Sequence, residues 1–251
     1  MALGVRRGST LLVHSSLRRT RGVRAEALRD ALLLALGPEG TLVVPSFTPE
    51  NSDTSAVHRA RLRGLAPWAH AALRAAMPPF DPTTTPAPGM GVLAETIRTT
   101  PGALRSGHPQ TSFTALGRAA AATVAGHRED CHLGEHSPLG ALYRVRADVL
   151  LLGVGFDKCS AFHLAEYRVP RPPRRSYRCV VRDRDRDRPM WWAYEDVVLD
   201  DSDFALLGGD FARSGPVATG TVADAPCRLF GLAPAVDFAT AWLPSHRGHV
   251  Q

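Results

Sequence analysis

Residues Asp148 to Tyr167 read DVLLLGVGFDKCSAFHLAEY, an apolar run followed closely by several titratable side chains. Val149 to Leu152 has the length and composition of a buried strand. Gly153 and Gly155 break it with residues that tolerate unusual backbone angles and close approach. Beyond the break stand Asp157, Cys159, His163 and Glu166. A helix begun at Ser160 would put His163 and Glu166, three apart, on one face. An imidazole with a carboxylate beside it, past the end of a buried strand, suits a general base and the group that orients it. The same spacing also suits a solvated or structural ion pair. A further reading makes Cys159 an acyl-carrying nucleophile and His163, four residues on, its base.

Other motifs are less specific. His132 to His136 reads HLGEH, matching the H-x-x-E-H pattern of one zinc-peptidase class. That chemistry needs both histidines on one helix face. Gly134 weakens a helix and Pro138 favours a turn, so no metal is expected. Ser15 and Ser16, taken alone, are caps or turn residues. No phosphate-binding P-loop and no G-x-G-x-x-G fingerprint occurs, which argues against nucleoside triphosphates and dinucleotides. The alternating run Arg182 to Arg188 suits a solvated hairpin tip, because each aspartate offsets a neighbouring arginine.

Segments spread over nearly the whole chain resemble the aminoglycoside 3-N-acetyltransferase family. They are LVHSSL at Leu12–Leu17, GPEGTLVVPSFT at Gly37–Thr48, PFDPTTTPAPGMGVLAE at Pro79–Glu95 and RSGHPQTSFTALG at Arg105–Gly117. LGEHSPLG at Leu133–Gly140, the segment beginning at Asp148, and RLFGLAPAVDFATAWL at Arg228–Leu243 complete the set. The resemblance implies acetyl-CoA as co-substrate and transfer to the 3-amino group of the 2-deoxystreptamine ring of an aminoglycoside, giving resistance or self-protection. It leaves open a biosynthetic relative acylating another small amine, or a non-catalytic binder. His163 then becomes the base of a direct transfer, with Glu166 or Glu195 orienting it. Backbone N–H groups around Ser15 and Ser16 would hold the oxyanion or coenzyme A. Ser137 and Gly140 resemble the coenzyme A segment, and His108 and Ser112 would line the same groove. A polycationic acceptor calls for carboxylates, and Asp53, Glu135, Asp157, Glu195, Asp196 and Asp201 are the candidates, Glu135 foremost. Two departures bear on the acceptor: His136 stands where the family usually has glycine, and Cys159 where a polar residue is common.

These side chains need a scaffold, and the chain can supply one. Its 251 residues, 44% hydrophobic and 22% charged, suit one α/β domain over residues 1–251 with a substantial core. No apolar run approaches the ~20 residues of a membrane helix, and no secretory signal is expected at the N-terminus. Four scattered cysteines without C-x-x-C pairs fit reduced thiols in the cytoplasm. The net charge of +6 suits an anionic ligand such as coenzyme A. Nucleic acid is not expected, since the arginines are dispersed and no basic–aromatic module occurs. Thr10–Val13 and Thr41–Val44 read as strands around a helix at Arg24–Leu36, a parallel strand–helix–strand start. Thr48–Pro88 reads mainly as long substrate loops around a helical stretch near Trp68–Ala76. Gly89–Thr99, Gly117–Ala125 and Asp203–Phe211 read as helices, the last capped by Ser202, and Ser176–Val198 as two antiparallel strands. The expected architecture is a mixed, mostly parallel central sheet flanked by helices, with a β-hairpin excursion.

Overall fold

The computed structural model describes residues 3–20, 22–183 and 188–247. Strands β1 (Thr10–Ser15) and β2 (Thr41–Pro45) are linked by helix α1 (Ala25–Leu36). Leu28, Leu32 and Leu36 recur at helical spacing and bury one face of α1 against the sheet. Between Thr48 and Pro88 the chain holds two helices, α2 (Ala56–Leu62) and α3 (Pro67–Ala75), where one was expected. Then follow α4 (Val92–Arg98), β3 (Leu104–Arg105), β4 (Phe113–Gly117), α5 (Ala120–Val124), α6 (Pro138–Arg144) and β5 (Asp148–Leu152). Helix α7 (His163–Arg168) precedes the hairpin strands β6 (Arg174–Asp183) and β7 (Arg188–Val197). The chain continues with α8 (Phe204–Ser214), β8 (Ala218–Val222), β9 (Ala225–Gly231) and α9 (Leu232–His246). Asp203 rather than Ser202 occupies the N-cap position of α8. The expected tip of the β6–β7 hairpin, residues 184–187, lies outside the described residues.

Among the described residues the main sheet runs β3-β4-β2-β1-β5-β9-β8, and β6 and β7 pair apart from it. The mixed sheet, the flanking helices and the hairpin agree with expectation; the balance of strand directions does not. Strand β1 runs parallel to β2 and to β5. The pairs β2–β4, β3–β4, β5–β9 and β8–β9 are antiparallel, so the sheet is mostly antiparallel. The parallel expectation extended the β1–α1–β2 unit to the whole chain. The short strands β4, β8 and β9 carry no pattern that fixes their partners. Two residues join β8 to β9, and so short a link permits only an antiparallel pair.

Alternation along the central strands divides the core between the two faces of the sheet. Leu12, Val43, Val149 and Leu151 pack with Leu139, Leu164, Phe204 and Ala235, so α6 to α9 cover that face. Leu11, Val13, Leu42, Leu150 and Leu152 pack with α1 and with Leu93 and Ile97 of α4 on the other. Burying one such leucine is worth about 1.5–3 kcal/mol, more than the roughly 1 kcal/mol of a ladder hydrogen bond. Side-chain burial on both faces therefore fixes the register of β1 and β5.

A buried polar cluster fastens the hairpin. Asp196 of β7 accepts hydrogen bonds from the His132 backbone (2.7 Å), from His132 Nδ1 (2.9 Å) and from the Tyr167 hydroxyl (2.6 Å). Tyr194 and Gln110 meet the far side of the His132 ring. His108 stacks on His127 and tilts against His132, with ring centroids 4.8 and 4.7 Å away. Burial disfavours the imidazolium throughout, lowering His127 to about 4, His108 well below its ordinary value, and His132 below it despite Asp196. Burial pushes the Asp196 carboxyl up, but the bonds from His132 and Tyr167 outweigh it and hold it below the ordinary value.

The unfolded chain binds protons at these histidines near pH 6.5, whereas the folded chain resists them, so stability falls as pH drops from about 6.5 towards 4. For His127 alone, about 4 against 6.5 corresponds to about 3 kcal/mol. Melting followed by circular dichroism should give a Tm that is steady above pH 7 and falls steeply below 6.5. His127→Gln should flatten that fall. An unchanged Tm down to pH 4.5 would rule out neutral buried histidines as the source.

Candidate active site

Strands β1 and β5 are parallel neighbours, and their C-terminal ends open into a cleft of about 1080 Å³. Gly153 ends β5 at φ +67, and a Cβ there would collide with the Ser16 carbonyl, so the turn demands glycine. Two 3-10 turns, Phe156–Lys158 and Ser160–Phe162, carry the chain to α7, whose first residue is His163. The α-helix thus starts three residues after Ser160, yet His163 and Glu166 still share a face. Phe162, Leu164 and Ala165 are fully buried and pin the helix so that His163 borders the cleft.

His163 Nδ1 lies 2.7 Å from Glu166 Oε2. A carboxylate only accepts, so this contact selects the ring form with a proton on Nδ1, and in the neutral ring Nε2 then holds the lone pair. The ring packs on Phe204, centroids 4.7 Å apart. Glu166 is 2% exposed. Its Oε1 accepts from Arg247 Nη1 at 2.6 Å and from the Asp200 backbone at 3.0 Å. Arg247 also grips Asp203 through Nε (2.7 Å) and Nη2 (2.6 Å), and donates to the Asp200 carbonyl. A buried carboxylate is tolerable here because every donor it needs is supplied by the fold.

The other sequence-predicted residues divide sharply. Ser15, Ser16, Asp157 and Asp201 line the cleft with His163. Ser16 N–H donates to the Leu152 carbonyl at 2.9 Å, so it is committed to the sheet. Ser137 caps α6, accepting from Leu139 N–H, and Gly140 leaves room for the Glu135 carbonyl, which a Cβ would strike. Pro138, expected to make a turn, is the first residue of α6. His108 belongs to the buried cluster, and Ser112 donates to the Ser46 carbonyl while accepting from Arg105. Asp53 is paired with Arg74 and Arg178, and Glu135 with Arg168. Glu195 is exposed on β7, and Asp196 is the buried anchor of the hairpin. None of these eight lines the cleft.

The HLGEH segment forms no helix; His132 is buried against Asp196 and His136 is exposed. Cys159 is fully buried, and burial pushes its thiol up to about 12, so it carries no thiolate near neutral pH. All four cysteines are free and buried.

The family model for aminoglycoside 3-N-acetyltransferases matches residues 12–244. The chain belongs to the aminoglycoside 3-N-acetyltransferase family. It is 37% identical to the prophage-derived aminoglycoside N(3')-acetyltransferase-like protein YokD of Bacillus subtilis, over 96% of this chain and 88% of that one. The crystal structure of YokD superposes with a TM-score of 0.91 at 35% identity, covering 100% of this chain and 92% of that one. Aminoglycoside N(3)-acetyltransferase III of Pseudomonas aeruginosa is 33% identical over 98% of this chain and 91% of its own. A solved binary complex of AAC-IIIb with CoASH superposes with a TM-score of 0.81 at 29% identity, covering 100% of this chain and 95% of that one.

In this family member Arg247 is the residue that sequence reasoning missed. It is 81 positions from Glu166, and no local pattern marks an arginine near the end of a helix as a partner for a distant carboxylate. Arg247→Met should cost about 1–3 kcal/mol in urea unfolding, less than a fully buried pair because the guanidinium is partly exposed. Arg247→Lys, which keeps the charge but not the fork, should fall between. Equal stability of Arg247→Met and the parent protein would mean that the contact holds nothing in place.

Proposed function

We propose that this chain transfers the acetyl group of acetyl-CoA directly to the 3-amino group of a 2-deoxystreptamine aminoglycoside, with His163 as general base and Glu166 as its orienting partner. The observation that carries this reading is the 2.7 Å His163–Glu166 contact at the wall of the cleft. A relative of the same fold solved with CoASH supports the donor, and the family supports the acceptor. Arg18 and Lys158 line the cleft and suit the phosphates of coenzyme A, while Asp157 and Asp201 suit ammonium groups of the drug.

In the reaction the amine nitrogen forms a bond to the thioester carbonyl carbon, and the carbonyl π electrons move to oxygen. Nε2 of His163 takes the amine proton, and Glu166 stabilises the imidazolium through Nδ1–H. The oxyanion collapses, the C–S bond breaks, and the thiolate leaves to be protonated. The product amide has lost one positive charge and with it part of the drug's attraction to RNA, which makes resistance or self-protection the outcome.

A second reading, acylation of another small amine, is favoured by one observation. Of the six acids expected to face a polycation, Asp157 and Asp201 alone line the cleft, and Lys158 lies 3.2 Å from Asp157. A panel of aminoglycosides and simpler amines separates the two by competition.

The test follows free thiol released from acetyl-CoA. Release should require an aminoglycoside and fall by about 100-fold or more in His163→Ala, in keeping with loss of a general base. Cys159→Ala should retain most of the turnover, and its inactivity would instead favour a covalent acyl-cysteine. Release without any aminoglycoside would mean thioester hydrolysis or another acceptor. Drug binding with no release would leave a binding protein.

A further inference from the structure

His14 sits on β1 one residue before the cleft serines and belongs to no role assigned so far. Alternation along β1 places it on the face of Leu12, the face that carries α7. His14 and His163 both line the cleft, and 5% of the His14 surface is accessible. Nε2 of His14 is buried and has no hydrogen-bond partner. Such an orphan is uncommon in folded proteins, since a buried polar atom without a partner costs about 1–3 kcal/mol.

The two imidazoles at this wall differ in a way that sorts their tasks. His163 Nδ1 has the Glu166 carboxyl group at 2.7 Å. His14 is buried, and a proton on His163 would oppose its own, so its imidazolium is disfavoured to about 3. A ring so disposed cannot take the amine proton near neutral pH, but a neutral imidazole still offers one N–H. Neutral histidines serve elsewhere as electrophiles that polarise a carbonyl. Four backbone donors of cleft residues are engaged: N–H of Ser16, Gly153, Lys158 and Cys159 bond to the carbonyls of Leu152, Pro226, Gly155 and Phe156.

We propose that His14 is a second catalytic residue, a neutral imidazole that donates a hydrogen bond to the thioester oxygen as the amine attacks. The inference rests on the acetyl-transfer reading above. No proton leaves His14: it only shares its N–H with the oxyanion, while the amine proton goes to His163 and the electron pair of the broken C–S bond leaves with sulfur. Such a contact tightens when substrate closes on the ring, as catalytic hydrogen bonds often do.

The experiment compares His14→Leu and His14→Gln with the parent enzyme in steady-state thiol release. Loss of an oxyanion donor should lower kcat by about 100-fold or more and leave the KM for acetyl-CoA within about threefold. His14→Gln, which keeps an N–H, should recover at least about tenfold of that loss. Should His14→Leu fail to fold, the imidazole 15N signals of the parent enzyme provide the second measurement. Adding the dethia ketone analogue of acetyl-CoA should shift the His14 N–H and leave the ring neutral. A kcat for His14→Leu within threefold of the parent, a change in KM alone, or an unmoved 15N signal would overturn the assignment. A parent enzyme that shows no amine-dependent release overturns the acetyl-transfer reading, and the role of His14 with it. Failure of His14→Leu to matter in an active enzyme overturns the role of His14 only.

Discussion

The buried carboxylate of Glu166 is the group on which the site depends. It is 2% exposed, yet one oxygen meets His163 and the other meets Arg247 and the Asp200 backbone. Each of those donors comes from a different part of the chain: the start of α7, the segment before α8, and the residue after α9. The carboxylate therefore ties three elements together while it sets the tautomer of the imidazole. Removing any one donor leaves a desolvated charge short of partners, which costs more than the contact itself is worth.

The sheet supplies the stage for that contact. Parallel pairing of β1 with β5 brings two strand ends to the same edge, where the chain must leave the sheet through turns. The Gly153 turn and the two 3-10 turns convert that edge into a wall, and α7 begins where the wall meets the cleft. Antiparallel strands added on either side extend the sheet without adding further strand ends of this kind. The cleft thus lies at the parallel centre of a mostly antiparallel sheet.

Histidine burial follows two patterns in this molecule. His108, His127 and His132 are kept neutral in a filled polar cluster, where nearly every nitrogen meets a neighbour and the function is to hold the hairpin. His14 and His163 line the cleft, one with an unpartnered Nε2 and one with a carboxyl group at Nδ1. Hydrogen bonding and desolvation act on both sets, and geometry decides whether a histidine ends in a filled cluster or at the wall of a cleft.

Local features were legible in the order of the residues. That order marked the β1–α1–β2 unit, the buried run at Val149–Leu152, the hairpin, and the i,i+3 relation of His163 to Glu166. All of these rest on periodicity and neighbour spacing within a few residues, which the chain carries in its own order. The family resemblance added the reaction class. Only the tertiary structure decided which carboxylates face the cleft, that Arg247 secures Glu166 across 81 residues, and that Asp196 belongs to His132 across 64. Strand directions and the unpartnered Nε2 of His14 are likewise tertiary outcomes. Those outcomes depend on which distant segments pack together, and packing is set by shape and burial summed over the whole core, which no short stretch of sequence encodes.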